Sequence, residues 1–170
     1  MIRPTATDLL RTIDATLTEK VEPSLSDLTG RSALATVRHL LNFVRIRIEQ
    51  EGQQLVDDIL ALRSLLAQVA QYCRSVNEGD AAAAIDRALA EADPPDPARY
   101  RSLDDLAIEA GSLREALYQA LAQLQSLRPR HGDNPDYQAV RAAIRGYITH
   151  QIEMEGEMVA PAFFGRGPRR

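Results

Sequence analysis

The sequence predicts an all-α fold, a helical bundle of five or six helices with long central helices. Apolar residues recur at steps of three and four along most of the chain, which is the spacing of one helical face turned towards a core. No segment shows the alternation of apolar and polar residues that is typical of a half-buried strand. With 170 residues, the chain is long enough to bury a core without disulfides or a metal. We expect one helical domain over residues 1–160 and a basic flexible tail over residues 161–170.

Composition and charge exclude several classes of protein from the prediction. The formal net charge of −4 argues against a general electrostatic attraction to nucleic acid, and no apolar run approaches the ~18 residues that a membrane-spanning helix needs. The single cysteine, Cys73, cannot form a disulfide within the chain, which fits a reducing compartment. No N-terminal segment resembles a secretion signal. We therefore expect a cytoplasmic location and neither a nucleic-acid partner, a membrane partner nor a cofactor.

The first helix is predicted to begin at Thr5. Pro4 precedes this residue, Thr5 is a suitable N-cap, and Asp8 lies in the first turn, where a negative charge is favourable. Pro23 cannot continue the helix, so we expect a turn-rich segment to follow over residues 24–30. The apolar face of this helix comprises Leu9, Leu10, Ile13, Leu17 and Val21.

The second helical stretch is the longest, with Ser32 as its candidate N-cap. One apolar stripe runs from Leu34 to Val76, and its phase survives the passage through Gly52. We therefore favour one continuous or mildly kinked helix over two nearly collinear ones, with residues 33–77 as its extent. The stripe comprises Leu34, Val37, Leu41, Val44, Ile48, Leu55, Ile59, Leu62, Leu66, Val69, Cys73 and Val76.

A short alanine-rich helix is predicted next. Gly79 is the candidate C-cap of the long helix, and Asp80 is the candidate N-cap of the short one. The short helix should run to about Ala92. Three prolines within residues 93–97 then leave no helical register, so this segment is a loop.

Two more helices complete the prediction. The first of them, over residues 102–128, carries the cleanest apolar stripe in the chain. After a loop, Pro135 is well placed in the first turn of the last helix, and Pro161 should end it. The stripe of the 102–128 helix comprises Leu103, Leu106, Ala110, Leu113, Leu117, Ala120, Leu124 and Leu127.

Two glutamates are candidates for buried carboxylates. Glu51 interrupts the apolar stripe of the long helix. The sequence of residues 48–53 is similar to that of residues 152–157, in which Glu155 corresponds to Glu51. Two such helices packed together would bring both carboxylates towards one point, as in carboxylate-bridged di-metal bundles. The Glu-x-x-His order of such sites is absent, so we assign no metal ligand. We expect Glu51 at a helix–helix contact with an arginine or another donor within reach.

A row of arginines runs along the long helix. Arg31, Arg38 and Arg45 are spaced by seven residues, and Asn42 lies beside them. Such a row can bind phosphates or an acidic partner surface, because Arg forms bidentate hydrogen bonds with both. The alternative is a solvated flank on which Arg45 pairs with Glu49 one turn further along the helix.

A second apolar side of the long helix is the candidate partner-binding surface. Leu40, Phe43 and Ile46 lie away from the main stripe. A helix with two apolar sides is usually central in a bundle or turns one side to a partner. No motif supplies a catalytic residue, since the histidines lack the neighbours that acid–base or metal chemistry needs. Cys73 is interpreted as a small core residue.

Short motifs mark the N-terminal portion of the chain: Arg3-Pro4-Thr5, Leu9-Leu10, Val21-Glu22-Pro23, Leu25 and Gly30-Arg31, then a helix with Asn42. Over residues 3–65 this pattern resembles an uncharacterised bacterial family of small helical proteins, often encoded beside aminoglycoside-phosphotransferase-like kinases and acyl-CoA dehydrogenases. The resemblance implies an accessory subunit that docks on such a kinase in the catabolism of hydroxyacyl-CoA or similar substrates. It implies no catalytic residues. The spacing from Gly30 to Asn42 is one residue longer here than in that pattern.

The leading hypothesis is a non-catalytic interaction or accessory subunit, either in a homo-oligomer or as the partner of a kinase-like enzyme. One alternative is a bundle that binds a small molecule or acyl-CoA through the arginine row, and another is a carboxylate-bridged metalloenzyme. We expect a dimer or a heteromeric complex, because the long helix carries more apolar surface than one core-facing stripe requires.

Overall fold

A computed structural model describes residues 3–92, 99 and 101–163, without the side chains of residues 158 and 161–163. Over these residues the all-α prediction is confirmed, because 89% of them are helical and no strand is present. The predicted loop at 93–97 and residues 164–170 of the predicted tail lie outside the described residues. The helices of the described residues are α1 (Ala6–Thr16), α2 (Leu28–Ser75), α3 (Gly79–Glu91), α4 (Leu103–His131) and α5 (Pro135–Phe163).

The start of α1 follows the prediction. Thr5 Oγ1 accepts a hydrogen bond from the Asp8 amide (3.1 Å), and Asp8 Oδ2 accepts one from the Thr5 amide (3.1 Å). This capping box satisfies two amides that have no partner within the helix. Beyond α1, a π-helical turn (Leu17–Val21) and a 3-10 turn (Glu22–Ser24) carry the chain past Pro23.

α2 begins earlier than predicted and is not interrupted. It starts at Leu28, so Ser32 lies inside the helix and is not its cap. The carboxylate of Asp27 accepts a hydrogen bond from the Gly30 amide instead (2.7 Å), as an N-capping side chain does. From there α2 continues through Gly52 as one helix of 48 residues, which confirms the interpretation that we favoured.

The end of α2 differs from the prediction by two residues. Asn77 rather than Gly79 adopts the left-handed conformation (φ 63°), and the Glu78 amide donates to the Cys73 carbonyl (2.9 Å), which is the pattern of a Schellman cap. Asparagine tolerates this conformation because its short polar side chain can bond locally. α3 therefore already begins at Gly79, and Asp80 lies in its first turn rather than at its cap.

α4 begins as predicted but runs past its predicted end. Ser102 accepts a hydrogen bond from the Asp105 amide (3.1 Å) and caps the helix. The helix then continues through Pro129 to His131. Near a C-terminus, a proline removes only one backbone hydrogen bond, so it need not end the helix.

α5 likewise begins at the predicted residue and passes its predicted end. Asn134 Oδ1 accepts a hydrogen bond from the Asp136 amide (2.8 Å), which leaves Pro135 at the first helical position. At the other end, α5 includes Pro161 and extends to Phe163. Pro161 is therefore part of the last turn and not the stop that the sequence predicts.

Two compact units divide the chain, Met1–Gly52 with Ile152–Arg170 and Gln53–Gln151. The hydrophobic core lies in the second unit, where the second half of α2, α3, α4 and the first half of α5 form a four-helix bundle. The predicted α4 stripe is buried along its length except at Leu103. The largest fully buried side chains are Ile59, Leu62, Leu66, Val69, Cys73, Leu113, Leu124 and Ile144.

The described residues of the first unit include few buried side chains. Among its described residues, only Leu34 and Ile46 are buried. Two such side chains provide little hydrophobic stabilisation, since full burial of one contributes roughly 1.5–3 kcal/mol. Other interactions must therefore help to hold α1 against α2.

We predict that Leu66→Ala destabilises the protein by about 2–5 kcal/mol, because the substitution leaves a cavity in the centre of the bundle. Leu60→Ala is the matched control on the same helix. Leu60 is 51% exposed, so its truncation should change the free energy of unfolding by no more than about 0.5 kcal/mol. Urea unfolding followed by far-UV circular dichroism measures both values. Equal effects of the two substitutions would contradict the placement of the core.

Candidate functional site

Ion pairs connect α1 and the turn after it to the first half of α2. The Arg38 guanidinium donates to Asp14 Oδ1 (2.8 Å) and to Glu22 Oε2 (3.2 Å). Arg11 Nη2 lies 3.3 Å from Glu49 Oε1. The hydrogen bond to Asp14 raises the pKa of Arg38, so this guanidinium stays charged. Because all these groups are partly exposed, each pair contributes about 1 kcal/mol at most.

The arginine row lies on the side of α2 that carries these ion pairs. Arg31 Nε donates to the Leu25 carbonyl (3.0 Å). Arg45 donates to Glu49 Oε2 (3.1 Å) and to Asn42 Oδ1 (2.7 Å). The pairing of Arg45 with Glu49 is therefore confirmed. All three arginines therefore donate hydrogen bonds to groups of their own unit, and Arg38 binds Asp14 of α1.

The buried face of the first half of α2 is only in part the predicted one. Of the main stripe, Leu34 is buried and Leu41 partly buried, but Val37, Val44 and Ile48 are about half exposed. Ile46, which we expected on the opposite side, is only 5% exposed. The partly buried positions 38, 42 and 45 lie one residue further along than 37, 41 and 44, a rotation of about 100° around the helix. The ion pairs place α1 on this rotated side. Ile46 is therefore unavailable to a partner.

Four side chains instead form an exposed apolar stripe, which we call the α2 seam. Val37 (46% exposed), Leu40 (53%), Val44 (44%) and Ile48 (49%) follow one another at steps of three, four and four. These steps keep the four on one side of the helix. Phe43, which also belongs to the predicted partner surface, is partly buried, and the Arg47 guanidinium carbon lies 5.8 Å from its ring centroid. Of the predicted partner surface, Leu40 alone belongs to the seam.

The two candidate glutamates differ in their surroundings. The Glu51 side chain is 22% exposed and pairs with Arg47 one turn earlier on α2, so the predicted arginine partner is confirmed. This partner belongs to the same helix, which removes the need for a helix–helix contact to neutralise the charge. Glu155 is exposed. Within the described residues, no group of three or more histidine, cysteine, aspartate and glutamate side chains is placed to hold a metal ion.

A buried polar network in the second unit was not predicted from the sequence. Asp58 is only 4% exposed, and it accepts a hydrogen bond from the Tyr147 hydroxyl (2.7 Å) and lies 2.7 Å from Arg114 Nη2. The network thus joins α2, α5 and α4. The sequence contains a pattern that indicates this buried side of α2, because Asp58, Leu65 and Tyr72 are spaced by seven residues and all three are buried. We missed the pattern because Asp58, its first residue, is polar.

A cavity of about 660 Å³ lies between α3 and α4 in the second unit, and we call it the α3–α4 cavity. Cys73 lies in its wall and is 1% exposed, as expected of a core residue. Burial raises the pKa of its thiol, so the side chain is protonated at neutral pH. The remaining wall consists of Glu78, Asp80, Ala81, Ala84, Ile85, Ala88, Ser112, Glu115, Ala116, Gln119, Ala120 and Gln123.

Comparison with known proteins gives no match to a family model, a curated protein or a solved structure. Within the described part of the chain, no helix combines the length and the apolar character that crossing a bilayer requires. Function must therefore be inferred from the chemistry of the α2 seam, the arginine row, the buried network and the α3–α4 cavity.

We predict that Tyr147→Phe destabilises the protein by roughly 1–3 kcal/mol, because it leaves one oxygen of the buried Asp58 carboxylate without its donor. Tyr118→Phe provides the matched control, since Tyr118 is 65% exposed. Urea unfolding at neutral pH should show a loss for the first variant and almost none for the second. Indistinguishable variants would mean that the hydrogen bond to Asp58 adds no stability.

The same network predicts a dependence on pH. Burial and the hydrogen bond to Asp58 raise the pKa of Tyr147 above its usual value of 10.0. Above about pH 10 the unfolded chain therefore binds fewer protons than the folded one, and stability falls as the pH rises. The stability advantage of the wild type over Tyr147→Phe should be complete below pH 10 and shrink above it. Unfolding of both proteins between neutral pH and about pH 11 measures the difference, and a constant difference would refute the prediction.

Proposed function

We propose that this protein is a non-catalytic interaction subunit that associates with a second copy of itself through the α2 seam. The observation that carries the proposal is the contrast within the first unit. Its α2 segment exposes Val37, Leu40, Val44 and Ile48, while Leu34 and Ile46 are its only buried residues among those described. A unit with more large apolar side chains half exposed than buried gains stability when another surface covers them.

The spacing of the seam favours another copy of the same helix as the occupant. Val37, Leu40 and Val44 follow the steps of a and d positions in a coiled coil, where each side chain packs between residues of a facing helix. Ile48 lies one residue past the next d position. In a twofold dimer the same patch serves both partners, so one stripe suffices for the whole interface. From Val37 to Ile48 the seam covers about three helical turns. α1 adds Leu9 and Ile13, each about half exposed, to the apolar surface of the unit.

The size of the seam sets the expected strength of association. Covering the exposed half of one such side chain contributes on the order of 1 kcal/mol. Eight of them in a symmetric pair provide a gain that is largely offset by the loss of translational and rotational freedom, a cost of at least ~4 kcal/mol. A weak dimer that depends on protein concentration is therefore the expected form.

A kinase-like partner is the alternative occupant, and it rests on the family resemblance of residues 3–65. Such an enzyme would cover the same seam, and the subunit would remain non-catalytic. The acyl-CoA alternative has less support, because phosphate binding requires guanidinium groups that Arg31, Arg38 and Arg45 already direct to partners within their unit. No geometry of the described residues favours the metalloenzyme alternative. The buried free thiol of Cys73 agrees with a reducing, cytoplasmic location.

We predict that Leu40→Glu shifts the protein towards monomer while its helicity is retained, because the new charge would have to be desolvated at the centre of the seam. Leu60→Glu is the matched control. Both leucines lie on α2 and are half exposed (53% and 51%), but Leu60 belongs to the second unit and is not a residue of the seam. Light scattering across a series of protein concentrations gives the mass of each variant.

The wild type and Leu60→Glu should rise towards twice the monomer mass at high concentration, and Leu40→Glu should not. A wild type that remains monomeric throughout would exclude the second copy as the occupant of the seam. Equal behaviour of the two glutamate variants with a dimeric wild type would place the interface elsewhere.

A further inference from the structure

We propose that the α3–α4 cavity is a binding site for a small organic cation, a protonated amine attached to an apolar body. The cavity lies within the second unit, so the inference is independent of self-association through the α2 seam. Its volume of about 660 Å³ falls in the range of about 300–1,000 Å³ that is typical of small-molecule sites.

Small side chains create the space. α3 faces the cavity with alanines, among them Ala81 and Ala84, and α4 does so with Ala116 and Ala120. A methyl group fills little of the gap between two helices, so the wall is apolar but recessed. Cys73 of α2 completes the wall, and its thiol behaves as a small apolar group. Such a wall suits the hydrocarbon part of a ligand.

Charge determines which ligand fits. Glu78, Asp80 and Glu115 line the cavity, and no lysine or arginine is among its described lining residues. Arg130 Nη2 lies 3.1 Å from Glu78 Oε1 and neutralises that carboxylate from outside the wall. Asp80 and Glu115, both exposed to solvent, remain as the groups that favour a cation. A cavity with acidic walls and an apolar surface concentrates cations and repels anions.

The polar groups are also arranged to orient a ligand. Gln119 Nε2 donates to Glu115 Oε1 (2.7 Å), which fixes the carboxylate one helical turn away on α4. The Glu78–Arg130 pair links the start of α3 to the end of α4, so the two helices run in opposite directions. Asp80 therefore lies towards the same end of the cavity as Gln123, whereas Glu115 lies towards the end that Ala88 and Ser112 line. An ammonium group beside either carboxylate would leave its apolar body along the alanines.

The experiment uses Cys73 as a reporter, because it is the only cysteine in the chain and lies in the cavity wall. The folded protein is treated with 2-aminoethyl methanethiosulfonate, a cation, or with 2-sulfonatoethyl methanethiosulfonate, an anion. In each case the Cys73 thiolate attacks the sulfenyl sulfur, a mixed disulfide forms, methanesulfinate leaves and the thiol proton goes to solvent. Mass spectrometry gives the rates, each divided by the rate for the urea-unfolded chain.

The normalised rate for the cation should exceed that for the anion by about tenfold or more. 4-Phenylbutylamine, which does not react with thiols, should slow the labelling of Cys73, and 4-phenylbutyrate at the same concentration should not. Glu115→Gln should reduce the preference for the cation severalfold. Asp133→Asn, which removes an exposed carboxylate outside the cavity wall, should leave it unchanged.

Equal normalised rates for the two reagents, or labelling that the amine does not slow, would show that Cys73 is reached by local unfolding and would overturn the proposal. Because Cys73 is 1% exposed, an unreactive thiol is followed by titration calorimetry with 4-phenylbutylamine, and the absence of binding there would overturn the proposal as well. Loss of the preference in Asp133→Asn as well as in Glu115→Gln would assign it to the net charge of the protein rather than to the cavity.

Discussion

A helix as long as α2 can bury its apolar residues only where other helices lie along it, and its two halves meet this constraint differently. In the second unit, α3, α4 and α5 surround α2, and side chains such as Ile59, Leu62 and Leu66 lose all contact with water. In the first unit, ion pairs connect α1 to the arginine side of the helix, and the α2 seam is left half exposed. The proposed self-association follows from this difference.

The interactions that stabilise the two units also differ in how strongly they depend on salt concentration. Burial of apolar surface in the bundle is little affected by salt, whereas the pairs that Arg38 forms with Asp14 and Glu22 lie near the surface and are screened by it. The buried Asp58 network differs again, because removing one of its partners leaves a polar group without a hydrogen bond away from water. If the proposed self-association occurs, we expect it to change the stability of the first unit more than that of the second.

Much of the fold could be predicted from the sequence because it depends on local patterns. Local residues within a few turns of one another determine the Thr5 cap of α1, the passage of α2 through Gly52 and the stripe from Leu106 to Leu127. The helix ends were less predictable. α2 ends at a left-handed Asn77 instead of Gly79, and the last turns of α4 and α5 include a proline. Each observed helix end differs from the predicted one by only one or two backbone hydrogen bonds.

The candidate site could be predicted only in part, because it depends on contacts between distant residues. Spacing showed that Leu34, Val37, Val44 and Ile48 share one side of α2, but it could not show that α1 would lie about 100° further round. That placement depends on pairs such as Arg38 with Asp14, which are 24 residues apart. For the same reason the sequence placed Ile46 on an accessible surface and missed the network around Asp58. The α3–α4 cavity was equally hidden, since it depends on how α3 and α4 pack.

Hydrogen exchange at several protein concentrations tests most directly whether the first half of α2 is completed by a second copy. Peptides that cover residues 34–48 report on the α2 seam, and peptides that cover residues 59–73 report on the core of the bundle. The amides of 34–48 should be weakly protected in dilute solution and gain protection as the concentration rises, while those of 59–73 stay strongly protected throughout. If the amides of 34–48 were as protected as the core in dilute solution, or did not respond to concentration, the first unit would be complete by itself and the proposed role of the seam would be wrong.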